Sequence, residues 1–189
     1  MDMLGPEATQ DAVDVERARL FALLGRLLGD PPDAALLHQL ALPHHAPGAL
    51  GAAHGALSRA AALATPEGAQ REFAALFRGE GGVPPCASAW LGTRDGAHLA
   101  ALRADLARLG IGRAEGIADP EDHIAILCET YAGLLAGALG PSPAEAAGFL
   151  ERHIQPWAGR CFAAIEAAPA AVFYRAVGRL GGAAMADAA

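Results

Sequence analysis

The residues best suited to chemistry stand at 119–123, where the sequence reads Asp-Pro-Glu-Asp-His. A carboxylate beside an imidazole, as in Asp122 and His123, is the pair that a hydrolase uses for acid–base catalysis. Adjacent residues of a helix point about 100° apart, so these two side chains do not readily bond to each other. The chain also lacks a G-x-S-x-G elbow and a glycine-rich phosphate loop. We therefore predict that the chain is not an enzyme, with an Asp/His hydrolase as the less favoured alternative.

A metal site is not expected either. The candidate ligands are His123, Cys128 and His153, and the five-residue step from His123 to Cys128 is poor for one helical face. Cys86 and Cys161 complete a set of three widely spaced cysteines without a C-x-x-C motif. An odd, unpaired number of thiols is typical of a reducing compartment. The sequence predicts no bound metal and no cofactor.

The 119–123 stretch also has the residue pattern that is typical of a helix N-terminus. Asp119 is a natural N-cap, and Pro120 suits the first helical position, where no amide bond is lost. Glu121 and Asp122 then place negative charge at the positive end of the helix dipole. This pattern predicts a strongly apolar helix over 124–139, with His123 half turned toward the core.

Apolar residues at helical spacing predict helices elsewhere, and no window alternates long enough for a strand. Ala and Leu dominate a chain that is 53% hydrophobic and only 5% aromatic, which favours helix. We predict an all-α fold: one helical bundle of about eight to ten helices over residues 1–189, frayed at 1–13 and 182–189. The predicted helices are 14–28, 33–40, 47–64, a segment from Thr65 to Gly79, one from Asp95 to Gly110, 124–139, 142–154, 157–167 and 170–180.

The charge pattern limits the possible partners. The net charge is −7 across 189 residues, and all 14 basic residues are arginine. The absence of lysine excludes a P-loop lysine and Schiff-base chemistry. An acidic chain is unsuited to nucleic acid and better matched to a basic peptide. No run of about eighteen apolar residues occurs, so we expect a cytoplasmic protein without membrane insertion.

Three sequence blocks resemble the TorD/DmsD-type redox-enzyme maturation proteins, a superfamily that includes NarJ. DPEDH at 119–123 is similar to that family's E-P-x-D-H, with Asp119 in place of Glu. EFAALF at 72–77 and PPCASAWL at 84–91 are similar to its E-[FY]-x-x-L-F and P-P-W-x-S-x-Y-L, although Cys86 replaces an aromatic residue. FLERHIQPW at 149–157 is similar to its F-x-x-x-H-[IL]-x-P-W. The blocks occur in the family's order.

The resemblance implies an all-helical cytoplasmic chaperone. Such a protein binds the twin-arginine signal peptide of a molybdenum-cofactor oxidoreductase and assists cofactor loading and folding before export. The client would be an enzyme of the DMSO/TMAO reductase or formate dehydrogenase type. The alternative is a helical assembly subunit that binds the folded enzyme. The chaperone would be a monomer or a helix-swapped dimer.

Predicted contacts with the signal peptide follow from the same blocks. A Gly- and Pro-rich loop beside Phe73, Phe77 and Trp90 is suited to form an apolar wall, the alternative being a connector with Trp90 in the core. Acidic residues near that wall would complement the basic end of the leader. The complete predicted set is Phe73, Phe77, Ser88, Trp90, Pro120, Asp122, His123 and Glu129.

Overall fold

The chain folds into helices joined by turns and loops, as a computed structural model describes for residues 6–43, 47–92, 96–112, 116, 119–139 and 143–188. No strand occurs in these ranges, and their ten α-helices confirm the predicted all-α fold. The α-helices are α1 (Pro6–Gly29), α2 (Ala34–Leu40), α3 (Gly48–Leu63), α4 (Pro66–Phe73), α5 (Ala87–Leu91), α6 (Ala97–Arg108), α7 (Ile124–Leu135), α8 (Pro143–Phe149), α9 (Ala158–Ala167) and α10 (Phe173–Asp187).

Two π-helical turns interrupt this pattern, and the sequence does not predict them. Ala74–Arg78 continues directly from α4, and Leu150–Ile154 continues from α8. The first turn overlaps the 72–77 block that carries the family resemblance, and the second lies inside the 149–157 block. A π-helical turn widens the helix by one residue, which changes the direction of the side chains that follow.

The centre of the bundle is α7, which packs along most of α1. Gly25 of α1 permits this approach, because a Cβ atom there would lie 2.6 Å from Cγ of Glu129 and 3.1 Å from the carbonyl oxygen of Ala125. Phe21 meets Tyr131 edge to face, with ring centroids 4.7 Å apart. α10 packs on α9 and α3, and buried apolar residues from all these helices form one cluster.

The ends of the chain are more regular than predicted. α1 already begins at Pro6, and α10 extends to Asp187, so helical structure includes much of the segments expected to be frayed. Arg17 of α1 binds the carboxylate and the carbonyl oxygen of Asp187 and so connects the two helices. The assignment of residues 1–189 to one domain stays a prediction.

Several predicted helix boundaries are confirmed. Thr65 caps α4, with its hydroxyl accepting the amide of Gly68 at 3.1 Å and Pro66 following as expected. Gly110 follows the end of α6 in the left-handed conformation (φ 72°). Asp95 and Ser142, the caps predicted for two further helices, lie outside the described residues.

The central helix begins at Ile124 as predicted, but the predicted N-cap is wrong. His123, and not Asp119, is the N-cap of α7, and Pro120 stands before the helix. The amide of Ile124 is bound by the carbonyl of Pro85 at 2.8 Å, so the segment before it is held as a turn against another loop. The helix ends at Leu135 rather than 139, because Gly137 adopts a left-handed conformation (φ 67°).

No helix within the described residues has both the length and the apolar character needed to cross a bilayer.

Candidate functional site

Two of the sequence blocks meet in a short antiparallel bridge between Cys86 and His123. The amide of Ala87 donates to the carbonyl oxygen of Asp122 at 3.0 Å, and the amide of Ile124 donates to that of Pro85 at 2.8 Å. The start of α5 and the start of α7 are thereby fixed to each other. This bridge fixes the backbone on both sides of His123.

Asp122 is buried beside the Cys86–His123 bridge and is not an exposed charge. Its side chain is only 1% exposed, and Oδ2 accepts the amide of Ser88 at 2.9 Å. The carboxylate therefore satisfies an amide in the first turn of α5 and also accepts a hydrogen bond from the thiol of Cys86. The expectation that Asp122 faces a partner directly is not supported by this burial.

His123 is also engaged with the backbone. Its Nδ1 accepts the amide of Ala125 at 3.2 Å, so the neutral ring carries its proton on Nε2. Burial lowers the pKa of His123, and the charges of Asp119 and Asp122 oppose that shift. Asp122 and His123 each bind a backbone amide, and no hydrogen bond joins their two side chains in the structure, so it does not show the acid–base pair that the hydrolase alternative requires. Absence of catalysis stays a prediction.

The thiols of Cys86 and Cys161, near the Cys86–His123 bridge, are held protonated. Burial, with added repulsion from Asp122 and Asp119, raises the pKa of Cys86 to about 12. Burial likewise raises the pKa of Cys161 to about 12, and Cys161 donates weakly to the carbonyl of Pro84 at 3.8 Å. No three His, Cys, Asp or Glu side chains in the described ranges are grouped to hold a metal ion. The prediction that no metal binds is left open.

A small cleft lies on one side of the 119–123 segment. This Phe77 cleft has a volume of about 200 Å³ and brings together four of the predicted residues. Phe73 is buried and forms its rear wall, with its ring 5.0 Å from that of Phe77 and both rings against Tyr174. The lining residues are Gly29, Phe73, Phe77, Arg78, Pro85, Cys86, Asp119, Pro120 and His123.

A larger groove lies on the other side of the same segment. This acidic groove has a volume of about 370 Å³ and contains Glu129, which the Phe77 cleft does not. Asp119 lines both hollows, so the two are neighbours across 119–121. The lining residues are Arg103, Leu106, Ala107, Ile111, Gly112, Asp119, Glu121, Ile126, Glu129, Thr130 and Leu139.

Trp90 and Ser88 line neither hollow. The indole Nε1 of Trp90 donates to the carbonyl of Pro84 at 2.8 Å, and the guanidinium of Arg160 lies 5.9 Å from its ring. Arg160 also donates to the carbonyl of Trp90 at 3.1 Å. Ser88 contributes its backbone amide to Asp122. The half-buried Trp90 thus fastens the loop to α9 and packs against the core rather than within it, as the connector alternative expected.

Sequence reasoning missed Glu72, although it is the first residue of the 72–77 block. Its carboxylate accepts the amides of Val172, Phe173 and Tyr174 at 2.8, 3.2 and 3.2 Å. It therefore caps α10 from a helix that precedes α10 by a hundred residues. No signal in the sequence indicates a cap supplied from such a distance.

A second missed residue is Asp105, the centre of a polar cluster beneath α8. Its Oδ2 lies 2.8 Å from Nε2 of His153 and 2.8 Å from Nε of Arg152. These hydrogen bonds lower the pKa of Asp105 to about 2, and the bond with His153 has the largest effect. The backbone carbonyl of His153 in turn accepts the indole proton of Trp157 at 2.8 Å. His153 and Trp157 of the 149–157 block are therefore engaged in contacts within the fold.

We expect Asp122→Ala to cost stability rather than only function. The substitution leaves the amide of Ser88 and the thiol of Cys86 without their acceptor, a loss of about 2 kcal/mol in the free energy of unfolding. Chemical denaturation measures it. Asp122→Asn, which keeps one acceptor oxygen, should lose less, and Asp119→Ala on the exposed segment should change stability by about 0.5 kcal/mol or less. An equal loss in the alanine variants would contradict this role of Asp122.

Comparison with known proteins agrees with the geometry. The family model of the nitrate reductase delta subunit matches residues 44–163, well over half of the chain. The match includes the 72–77, 84–91, 119–123 and 149–157 blocks, the acidic groove, and the lining of the Phe77 cleft apart from Gly29. A comparison with curated proteins gives no match. The chain belongs to the nitrate reductase delta subunit family, the NarJ/TorD-type chaperones whose members bind molybdoenzyme subunits during maturation.

Proposed function

We propose that this protein is a cytoplasmic chaperone for the twin-arginine signal peptide of a molybdenum-cofactor oxidoreductase. It would hold the leader until the cofactor is loaded and the client has folded, and only then allow export. The client would be of the DMSO/TMAO reductase or formate dehydrogenase type. The observation that carries the proposal is the acidic groove beside the 119–123 segment.

The groove and the leader are complementary in both polarity and charge. A twin-arginine leader consists of two arginines followed by an apolar stretch. The groove offers apolar side chains from Leu106, Ile111, Ile126 and Leu139 together with three carboxylates. Apolar contacts would supply most of the affinity, and the carboxylates would orient the basic end.

The predicted contact residues take unequal parts in this proposal. Phe77, Pro120, His123 and Glu129 line the two hollows and would contact the peptide. Phe73 would act from behind Phe77. Asp122, Ser88 and Trp90 are assigned an indirect part, since they fix the start of α5 and the loop before it. We therefore infer that the leader crosses the segment 119–121 between the hollows, where Asp119 and Pro120 are exposed.

A second candidate function is the assembly of a folded enzyme partner. A separate groove of about 670 Å³ lies between α1, α3 and the end of α10, and it contains Val13, Leu20, Leu23 and Leu50. Arginines and acids both line this groove, so its charge is less selective for a basic leader than that of the acidic groove. This groove would be the contact surface of a helical assembly subunit.

Calorimetric titration with a synthetic leader tests the first proposal. We expect a dissociation constant in the micromolar range, about −8 kcal/mol. The leader should be that of a molybdoenzyme encoded near the gene of this protein. If none of those leaders produces heat or a shift in the unfolding midpoint, the leader-binding proposal falls and the folded-partner candidate replaces it.

A further inference from the structure

A guanidinium already occupies one carboxylate of the acidic groove. Arg103 of α6 binds Glu121 through two bonds, Nε to Oε1 at 3.2 Å and Nη2 to Oε2 at 3.0 Å. This parallel pair is the preferred geometry of arginine on a carboxylate, which lysine cannot reproduce. Both residues line the groove.

The two partners are held very differently. The side chain of Arg103 is 57% exposed, whereas that of Glu121 is 16% exposed. Glu121 lies in the short segment that the Cys86–His123 bridge fixes, so its position is set by the fold. Arg103 reaches it from a solvent-facing position of α6 and can swing into water. An ion pair of this kind contributes little to folding.

A second carboxylate lies in the same groove. Glu129 of α7 is exposed, and no ion pair among the described residues includes it. The groove therefore presents one acid that already holds a guanidinium and one that is not in an ion pair within that part of the chain. Two arginines side by side in a ligand would match two such acids.

From this geometry we propose that Glu121 is a receptor for one arginine of the leader and that Arg103 is its internal competitor. In the free chaperone Arg103 occupies the carboxylate. A leader arginine replaces it in the same two-bond geometry, while Glu129 receives the other. Arg103 thus lowers the affinity for every leader. It lowers the affinity for a leader with lysines more, because only a guanidinium can replace both hydrogen bonds between Arg103 and Glu121. The inference rests on the proposed leader binding for its ligand.

Leader affinities of four variants test the competition. Arg103→Gln should bind the twin-arginine leader about three- to tenfold more tightly than the wild type, and Glu121→Gln more weakly by a similar factor. The double variant should lose the gain. Arg179→Gln is the matched control, because Arg179 is 56% exposed and pairs with Glu166 at 2.9 Å outside the groove. Its affinity should equal that of the wild type.

A short probe separates this inference from leader binding. Acetyl-Arg-Arg-amide lacks the apolar stretch, and NMR of the glutamate carboxylates should show it binding at millimolar concentration to Arg103→Gln and not to Glu121→Gln. If the wild type binds the leader but Arg103→Gln shows neither tighter binding nor the dipeptide signal, the competition is refuted and the leader proposal stands. If no leader binds but the dipeptide binds Arg103→Gln, the receptor role of Glu121 stands alone. If neither ligand binds, both are refuted.

Discussion

A leader whose apolar stretch is replaced by serines should show no measurable binding to this protein. Four or five leucine-sized side chains that leave water contribute roughly 6–15 kcal/mol. A micromolar complex has a total binding free energy of only about −8 kcal/mol. The apolar stretch thus supplies an amount comparable to the whole affinity, and its removal abolishes binding. Calorimetry with the two peptides at equal concentration measures the loss.

The matched control keeps the apolar stretch and replaces the two arginines by lysines. Each arginine–carboxylate contact at an exposed rim adds about 1 kcal/mol at low salt, and lysine keeps the charge. The lysine leader should therefore still bind, within about tenfold of the original, and added salt should weaken both leaders only modestly. Retained binding of the serine leader with loss of the lysine leader would show that charge, and not the apolar groove, carries recognition.

The sequence predicted the elements of this site better than their contacts. Local signals placed α4 and the end of α6 correctly, because Thr65 and Gly110 act on their own helix ends. The same kind of local signal predicted wrongly that Asp119 is the N-cap of α7. There the competing partner of the first turn is the carbonyl of Pro85, which lies far away in the sequence. A rule based on neighbouring residues cannot predict the N-cap of a helix whose first amide is bound by a distant loop.

The predicted site set was limited in the same way. Residues 73–90 and 120–129 were expected to form one surface, and the structure brings Phe73, Phe77, Pro120 and His123 together in the Phe77 cleft. Glu129 lies in the other hollow, six residues or about 1.7 helical turns after His123. Burial of Asp122 follows from its bond to Ser88, a residue 34 positions away. Only the three-dimensional pairing of the two blocks reveals that a carboxylate of the signature is structural.

Arginine placed on the apolar floor of the acidic groove should reduce leader affinity by about 30- to 100-fold. Ile126 and Leu139 line the groove from α7 and from the turn that follows it. Replacing either removes about 2 kcal/mol of apolar contact, and the new charge repels the arginines of the leader. Leu139 is already 37% exposed, so Leu139→Arg should fold even if Ile126→Arg is destabilised.

The affinity of Leu139→Arg relative to Leu63→Arg tests the central claim most directly. Leu63 is 88% exposed at the end of α3 and lines none of the three hollows described, so its substitution makes the same chemical change outside the groove. With equal unfolding midpoints, we predict that Leu63→Arg binds the leader as the wild type does and that Leu139→Arg binds at least about 30-fold more weakly. Equal affinity of the two variants would contradict the claim that the leader lies in the acidic groove.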